Sequence, residues 1–109
     1  MPVNLEKTKD DICRAISERK VIQFRYKDKL RIVEPYICGA GATGKYILLA
    51  FQTGGHSSSR RFGWKLFELA NITSLEITET AFNISGAERL RYNPIDPRMR
   101  KTFCCIPRA

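Results

Sequence analysis

The stretch Tyr46-Ile47-Leu48-Leu49-Ala50-Phe51-Gln52 decides the reading of this chain. It is bounded by Gly39-Ala40-Gly41-Ala42-Thr43-Gly44 on one side and Thr53-Gly54-Gly55 on the other. Seven residues bounded by glycines are too short for a typical buried helix and fit a strand that is apolar on both faces. A strand buried on both faces is central, so the flanking segments must wrap it. Most of those segments are basic, and what they face is the functional question.

The first flanking strand is Val21-Ile22-Gln23-Phe24-Arg25-Tyr26-Lys27. It alternates, with Ile22, Phe24 and Tyr26 on one side and Gln23, Arg25 and Lys27 on the other. Asp28-Lys29 reads as a tight turn into Leu30-Arg31-Ile32-Val33-Glu34-Pro35-Tyr36-Ile37-Cys38. There the alternation slips at Val33-Glu34, and Pro35 removes a ladder donor, so a bulge or an edge position is expected. Ahead of these strands, Thr8-Lys9-Asp10-Asp11 has capping-box form, with Asn4 as an alternative cap one turn earlier. Leu5, Ile12 and Ile16 share one face, which predicts a helix over residues 5–19.

Beyond the central run lies Gly54-Gly55-His56-Ser57-Ser58-Ser59-Arg60-Arg61, a flexible loop. A fourth strand is expected from about Ser59, with Phe62, Trp64 and Leu66 on its apolar face and Arg61 and Lys65 on the other. Leu66 to Asn71 breaks the alternation as one helical turn, and Thr73 to Glu79 resumes it as a fifth strand with Leu75 and Ile77 inward. Residues 83–109 read as a basic, Pro-broken tail packed on the sheet or on a partner subunit. From Arg89 onward it has six basic residues against one acidic, a net of +5.

The totals narrow the function. The 109 residues make one domain, and 43% hydrophobic with 10% aromatic content supports a core. No apolar run is long enough to span a membrane and no signal peptide is visible, which makes the cytoplasm the expected compartment. The net charge is +8, from 19 basic and 11 acidic residues, and this favours an anionic partner. Cys13, Cys38, Cys104 and Cys105 form no C-x-x-C pair and His56 is the only histidine. The expectation is therefore reduced, mostly buried thiols, no metal and no cofactor. A lone His in a loop has no orienting partner and no carboxylate pair stands out, so no catalytic residues are expected.

One helix followed by five short strands with a bent second strand predicts a mainly β, α+β fold. The expected form is a small, strongly curved five-stranded barrel. The ordered series Ala15-Ile16-x-x-Arg19-x-Val21-Ile22-x-Phe24-x-Tyr26, Arg31-x-Val33-x-Pro35-Tyr36, Tyr46-Ile47-Leu48-Leu49-Ala50-Phe51, Arg61-Phe62 and Ile72-x-x-Leu75 resembles the WYL domain, over residues 9–82. The name-giving Trp-Tyr-Leu triplet aligns with Tyr46-Ile47-Leu48. The resemblance implies an Sm-like barrel over residues 1–82 with a helix packed on it. It also implies a bacterial ligand-sensing or nucleic-acid-binding role in transcription regulation or phage defence, and a pocket of basic and aromatic side chains. Tyr26, Arg31, Tyr46 and Arg61 match that pattern, and Arg60 and Lys65 join them from the reading of the fourth strand. Arginine offers a planar fork for phosphate and tyrosine a ring and a hydroxyl. The expected ligand is single-stranded nucleic acid or a nucleotide. The other reading is a protein–protein module that forms a homodimer or docks on a larger regulator.

Overall fold

The central run is strand β3 (Tyr46–Gly55), and it pairs with β2 (Lys29–Ala40) on one side and β4 (Gly63–Glu68) on the other. This computed structural model describes residues 4–55, 63–83, 92, 94 and 96–106. Ile47 to Phe51 are all buried, as a strand covered on both faces requires. Helix α1 (Leu5–Glu18) and strand β1 (Lys20–Tyr26) precede β2; a 3-10 turn (Leu69–Asn71), β5 (Ile72–Ala81) and β6 (Lys101–Cys105) follow β4. The described strands form one antiparallel sheet in the order β4-β3-β2-β1-β5, with β6 added to β2.

The expectation of a closed five-stranded barrel is corrected on two counts. Six strands are present among the described residues, and their pairing is an open path whose ends, β4 and β5, share no ladder. At the end of β4 the Glu68 N–H, instead of continuing a ladder, donates to the Tyr26 hydroxyl oxygen at 3.1 Å. The sixth strand was hidden because Pro94 and Pro97 make its approach read as tail.

Strand β2 explains most of this geometry. Along one edge its first half pairs with β1, from Lys29 to Val33, and its last part pairs with β6, from Ile37 to Ala40. Pro35 falls between the two ladders, where a residue that cannot donate interrupts neither. Against β3 the register shifts between Ile32 and Val33 and again between Pro35 and Ile37. The extra residue is Thr53 on β3 at the first shift and Tyr36 on β2 at the second, so the slip read in the sequence is a bulge in an interior strand. The turn from β1 to β2 is Lys27-Asp28, one residue earlier than expected. Both residues have positive φ (53° and 62°), the twist that suits a two-residue hairpin.

Directly paired residues share a face, so the pairings sort the side chains. One face carries Ile22, Phe24, Tyr26, Arg31, Val33, Cys38, Leu48, Lys65 and Phe67. Helix α1 covers part of it with Ile12, Ala15 and Ile16, all buried. The other face gathers Tyr36, Phe51 and Trp64, closed by Tyr92, whose ring lies 4.9 Å from Tyr36 and 6.0 Å from Trp64. The Tyr92 hydroxyl donates to the Ile106 carbonyl at 2.7 Å. The expected alternation of the fourth strand holds, with Trp64 and Leu66 opposite Lys65, but the Lys65 side is the one toward the helix. Phe67 is buried beside Lys65 on the helix side, Trp64 faces away from it, and Leu66 is 40% exposed. The expected start near Ser59, with Phe62, lies outside the described residues.

The helix is capped by Asn4, whose Oδ1 accepts from the Lys7 N–H at 3.1 Å, and it ends at Arg19 in the left-handed region. It is held to the sheet at two points. The Tyr46 hydroxyl donates to Glu6 Oε1 at 2.6 Å, with Lys9 Nζ 2.9 Å from the other carboxylate oxygen. The Tyr46 hydrogen bond and then Lys9 hold the Glu6 carboxyl below its ordinary range, and the same bond pushes the Tyr46 phenol up. The second point is a disulfide between Cys13 of α1 and Cys104 of β6, which corrects the expectation of reduced thiols. Cys38 and Cys105 are free, and burial pushes the Cys38 thiol up to about 12.

Two tests follow from this packing. At Gly39 a Cβ would run into the Lys101 carbonyl oxygen of β6. Gly39→Ala is expected to lower unfolding free energy by about 1–3 kcal/mol in a denaturant titration; an unchanged midpoint would show that β6 does not lie there. Tyr46→Phe is expected to raise the Glu6 titration midpoint in a carboxyl-carbon NMR pH series. Because the folded Glu6 pKa is depressed, the stability it lends is present above the unfolded carboxylate pKa and lost as pH falls through the folded value. The variant should lose part of that acid-limb dependence, and an unmoved Glu6 midpoint would contradict the bond.

Candidate functional site

The hairpin turn brings the site together. With Lys27-Asp28 as a two-residue turn, Tyr26 faces Lys29 and Phe24 faces Arg31. Arg31 therefore lies on the apolar, helix-side face, in a place where a period of two would welcome a valine. It is only 8% exposed. Its guanidinium carbon sits 5.8 Å from the Tyr26 ring centre and 6.0 Å from that of Phe67. Among the described residues it makes no salt bridge, and its buried Nε has no hydrogen-bond partner.

The surrounding rings are fixed. Phe67 meets Phe24 edge-on at 5.1 Å and Tyr26 edge-on at 5.0 Å, and Tyr26 is held through its hydroxyl by the Glu68 amide. Lys65 precedes Phe67 by two residues and shares its face. The result is a hollow of about 430 Å³ lined by Tyr26, Lys27, Lys29, Arg31, Lys65 and Phe67, with Leu66 at its side. Among the described residues, four cations and two rings line it, and no carboxylate does. Such a lining suits an anion with a flat, stackable part: guanidinium and ammonium groups for the charge, ring faces and edges for the rest.

Of the six residues singled out in the sequence, Tyr26, Arg31 and Lys65 come together here. Tyr46 does not join them. It pairs with Ala40, whereas Arg31 pairs with Gly55. Nine steps of β2 separate Arg31 from Ala40, about 30 Å along the strand. Tyr46 packs its ring 4.8 Å from Phe103 and lines a separate hollow of about 420 Å³ with Glu6, Lys45 and Glu68, where Lys45 pairs with Glu68. Arg60, Arg61 and His56 lie outside the described residues.

Sequence reasoning missed Lys27, Lys29 and Phe67. Lys27 lies in the turn and Lys29 opens β2, and placing the turn one residue later took both off the site. Phe67 was lost because Leu66 to Asn71 read as one helical turn, whereas β4 runs on to Glu68; Phe67 and Lys65 at i, i+2 were the available signal.

No family model matches the chain, and no curated protein matches it. A solved structure, the proteasome accessory factor B/C (PafBC) of Arthrobacter aurescens, is similar in fold, with a TM-score of 0.60. Identity is 22% over 75% of this chain, and the match spans 13% of the PafBC chain. The likeness is one of fold, and it agrees with the WYL resemblance in the sequence.

Proposed function

We propose that this chain is a non-catalytic binding module that takes a phosphate-bearing ligand, single-stranded nucleic acid or a nucleotide, in the Tyr26–Arg31–Lys65 hollow. The observation that carries this reading is Arg31: a cation turned to the apolar face, flanked by rings, with an N–H that no described group accepts. A buried unsatisfied donor costs about 1–3 kcal/mol, and a cation over a ring returns about 0.5–2 kcal/mol. An incoming phosphate oxygen would complete the arrangement. The fold likeness to PafBC and the WYL resemblance support a regulatory, ligand-sensing role, which is proposed here by likeness. No described helix is long and apolar enough to cross a membrane.

The protein–protein reading rests on the strand edge near Pro35 and on the tail. In this chain those two meet each other. Strand β6 pairs with β2, and the Ile106 N–H donates to the Tyr36 carbonyl at 2.9 Å.

The test uses fluorescence polarisation with labelled oligo(U) and oligo(dT), and with ATP and GTP as competitors. Arg31→Met keeps the aliphatic stem and removes the charge. It is expected to weaken binding by about 10- to 100-fold, the worth of a charge-assisted hydrogen bond of roughly 1.5–3 kcal/mol. The same variant should leave the ligand-free protein as stable as the parent or more stable, because an unpaired buried charge has been removed. Lys65→Gln should weaken binding with the fold intact. A strand of several phosphates gives log–log salt slopes near −0.7 per contact, and a nucleotide gives a shallow one. Binding by Arg31→Met equal to the parent's would end the proposal.

A further inference from the structure

At the other end of β2 lies a second cluster that the binding reading does not use. The sulfurs of Cys13 in α1, Cys38 in β2 and Cys104 in β6 all lie within 4.8 Å of one another. Cys38 is fully buried and sits opposite Cys104 in the ladder, so both point to the helix side, where Cys13 descends between them. A disulfide uses two sulfurs. Here a third, fully buried thiol is set against the bond, and it comes from a third structural element.

We propose that Cys13, Cys38 and Cys104, with the Cys13–Cys104 bond reduced, hold one thiophilic d10 ion, Zn²⁺ or Cu⁺. Three sulfurs around such an ion at about 2.3 Å each lie roughly 4 Å apart, a spacing that falls inside the observed cluster. Thiolate ligands select zinc and copper(I) over the oxygen-seeking cations. Three thiolates leave the complex anionic with either ion, and Lys9 stands close by, its Nζ 5.2 Å from the Phe103 ring next to Cys104. Disulfide and ion compete for the same two sulfurs. Both fasten α1 to β6, so the joint survives a change of redox state with a different link in it.

The steps balance. A phosphine reductant gives two electrons to the S–S bond and leaves as its oxide, with the oxygen of water. The two sulfurs become thiols and take that water's two protons. Binding of the ion then displaces the three thiol protons to solvent.

The experiment takes the full chain, reduced by a phosphine under anaerobic conditions, and titrates it with Cd²⁺ and with Cu⁺. The expected result is one ion per chain, seen as sulfur-to-metal charge-transfer absorption. Alkylation mapped by mass spectrometry should show Cys13, Cys38 and Cys104 protected by the ion while Cys105 reacts. Even an outer-shell partner is worth about 10- to 100-fold in affinity, so Cys38→Ser should weaken binding by more than about a hundredfold. Cys105→Ser should bind as the parent does. Equal alkylation of all four cysteines with and without the ion would overturn the proposal on the unsubstituted chain alone, whether or not Cys38→Ser folds. Loss of binding in Cys105→Ser, or its retention in Cys38→Ser, would overturn it as well.

Discussion

The structure depends on one constraint, the way β2 serves two ladders along a single edge. A twelve-residue strand gives five positions to β1 and its last four to β6 while β3 runs along its other side. A straight strand with strict alternation could not do this and also keep its chemistry on one face. Arg31 and Cys38 are seven residues apart, an odd number, and a period of two would set them on opposite faces. One extra residue at Tyr36, opposite a gap in β3, shifts the phase. Arg31 and Cys38 therefore both face the helix side, and Tyr36 joins Trp64 and Phe51 on the other. Pro35 marks the place where the change is made.

That arrangement also sets the energetics of the candidate site. The first turn of β2 lies beyond the reach of α1, so the apolar face there has no helix to cover it. Arg31, Tyr26 and Phe67 close it partially among themselves. An aliphatic residue at position 31 would pack better against two rings and leave no donor unmatched. A guanidinium in that place loses hydration without gaining a hydrogen bond, and the ring contacts return only part of the loss. Gly55 opposite Arg31 has φ of 78° and leaves no room for a Cβ beside the Leu30 carbonyl. Backbone thus presses close on one side of the arginine, and the open side is the hollow.

Much of the fold was legible because its signals are local. The apolar run at residues 46–52, the alternation at 21–27, the cap at Asn4 and the slip near Pro35 each depend on neighbours within a few residues. Tyr26 and Arg31 came from the family resemblance and Lys65 from the alternation of the fourth strand; that the three line one hollow depends on the strand pairings. What stayed hidden depends on pairings between distant segments. Nothing in Lys101-Thr102-Phe103-Cys104-Cys105 says that it meets residues 37–40. The pairing of Cys13 with Cys104, 91 residues away, needs that strand placed first. Leu66 and Phe67 show a second limit: two adjacent apolar residues leave the pleat phase undecided, and only the register with β3 settles it.

The position of Tyr46 turns the family resemblance in a particular direction. The triplet Tyr46-Ile47-Leu48 stands where the WYL name-giving residues align, yet here it lies at the fastened end of the sheet. Tyr46 bonds Glu6 of the helix and packs on Phe103 of β6, and Leu48 lies opposite Cys38. The disulfide closes the same corner. The basic hollow sits at the far end of β2, where no helix covers the sheet. The two ends therefore divide the work: one fixes α1 and β6 on the sheet, and the other leaves a charged, ring-lined face exposed to solution. Tyr46 is tied to Glu6, so the proposed ligand would take its donors from Arg31 and Lys65. The triplet serves to hold the fold.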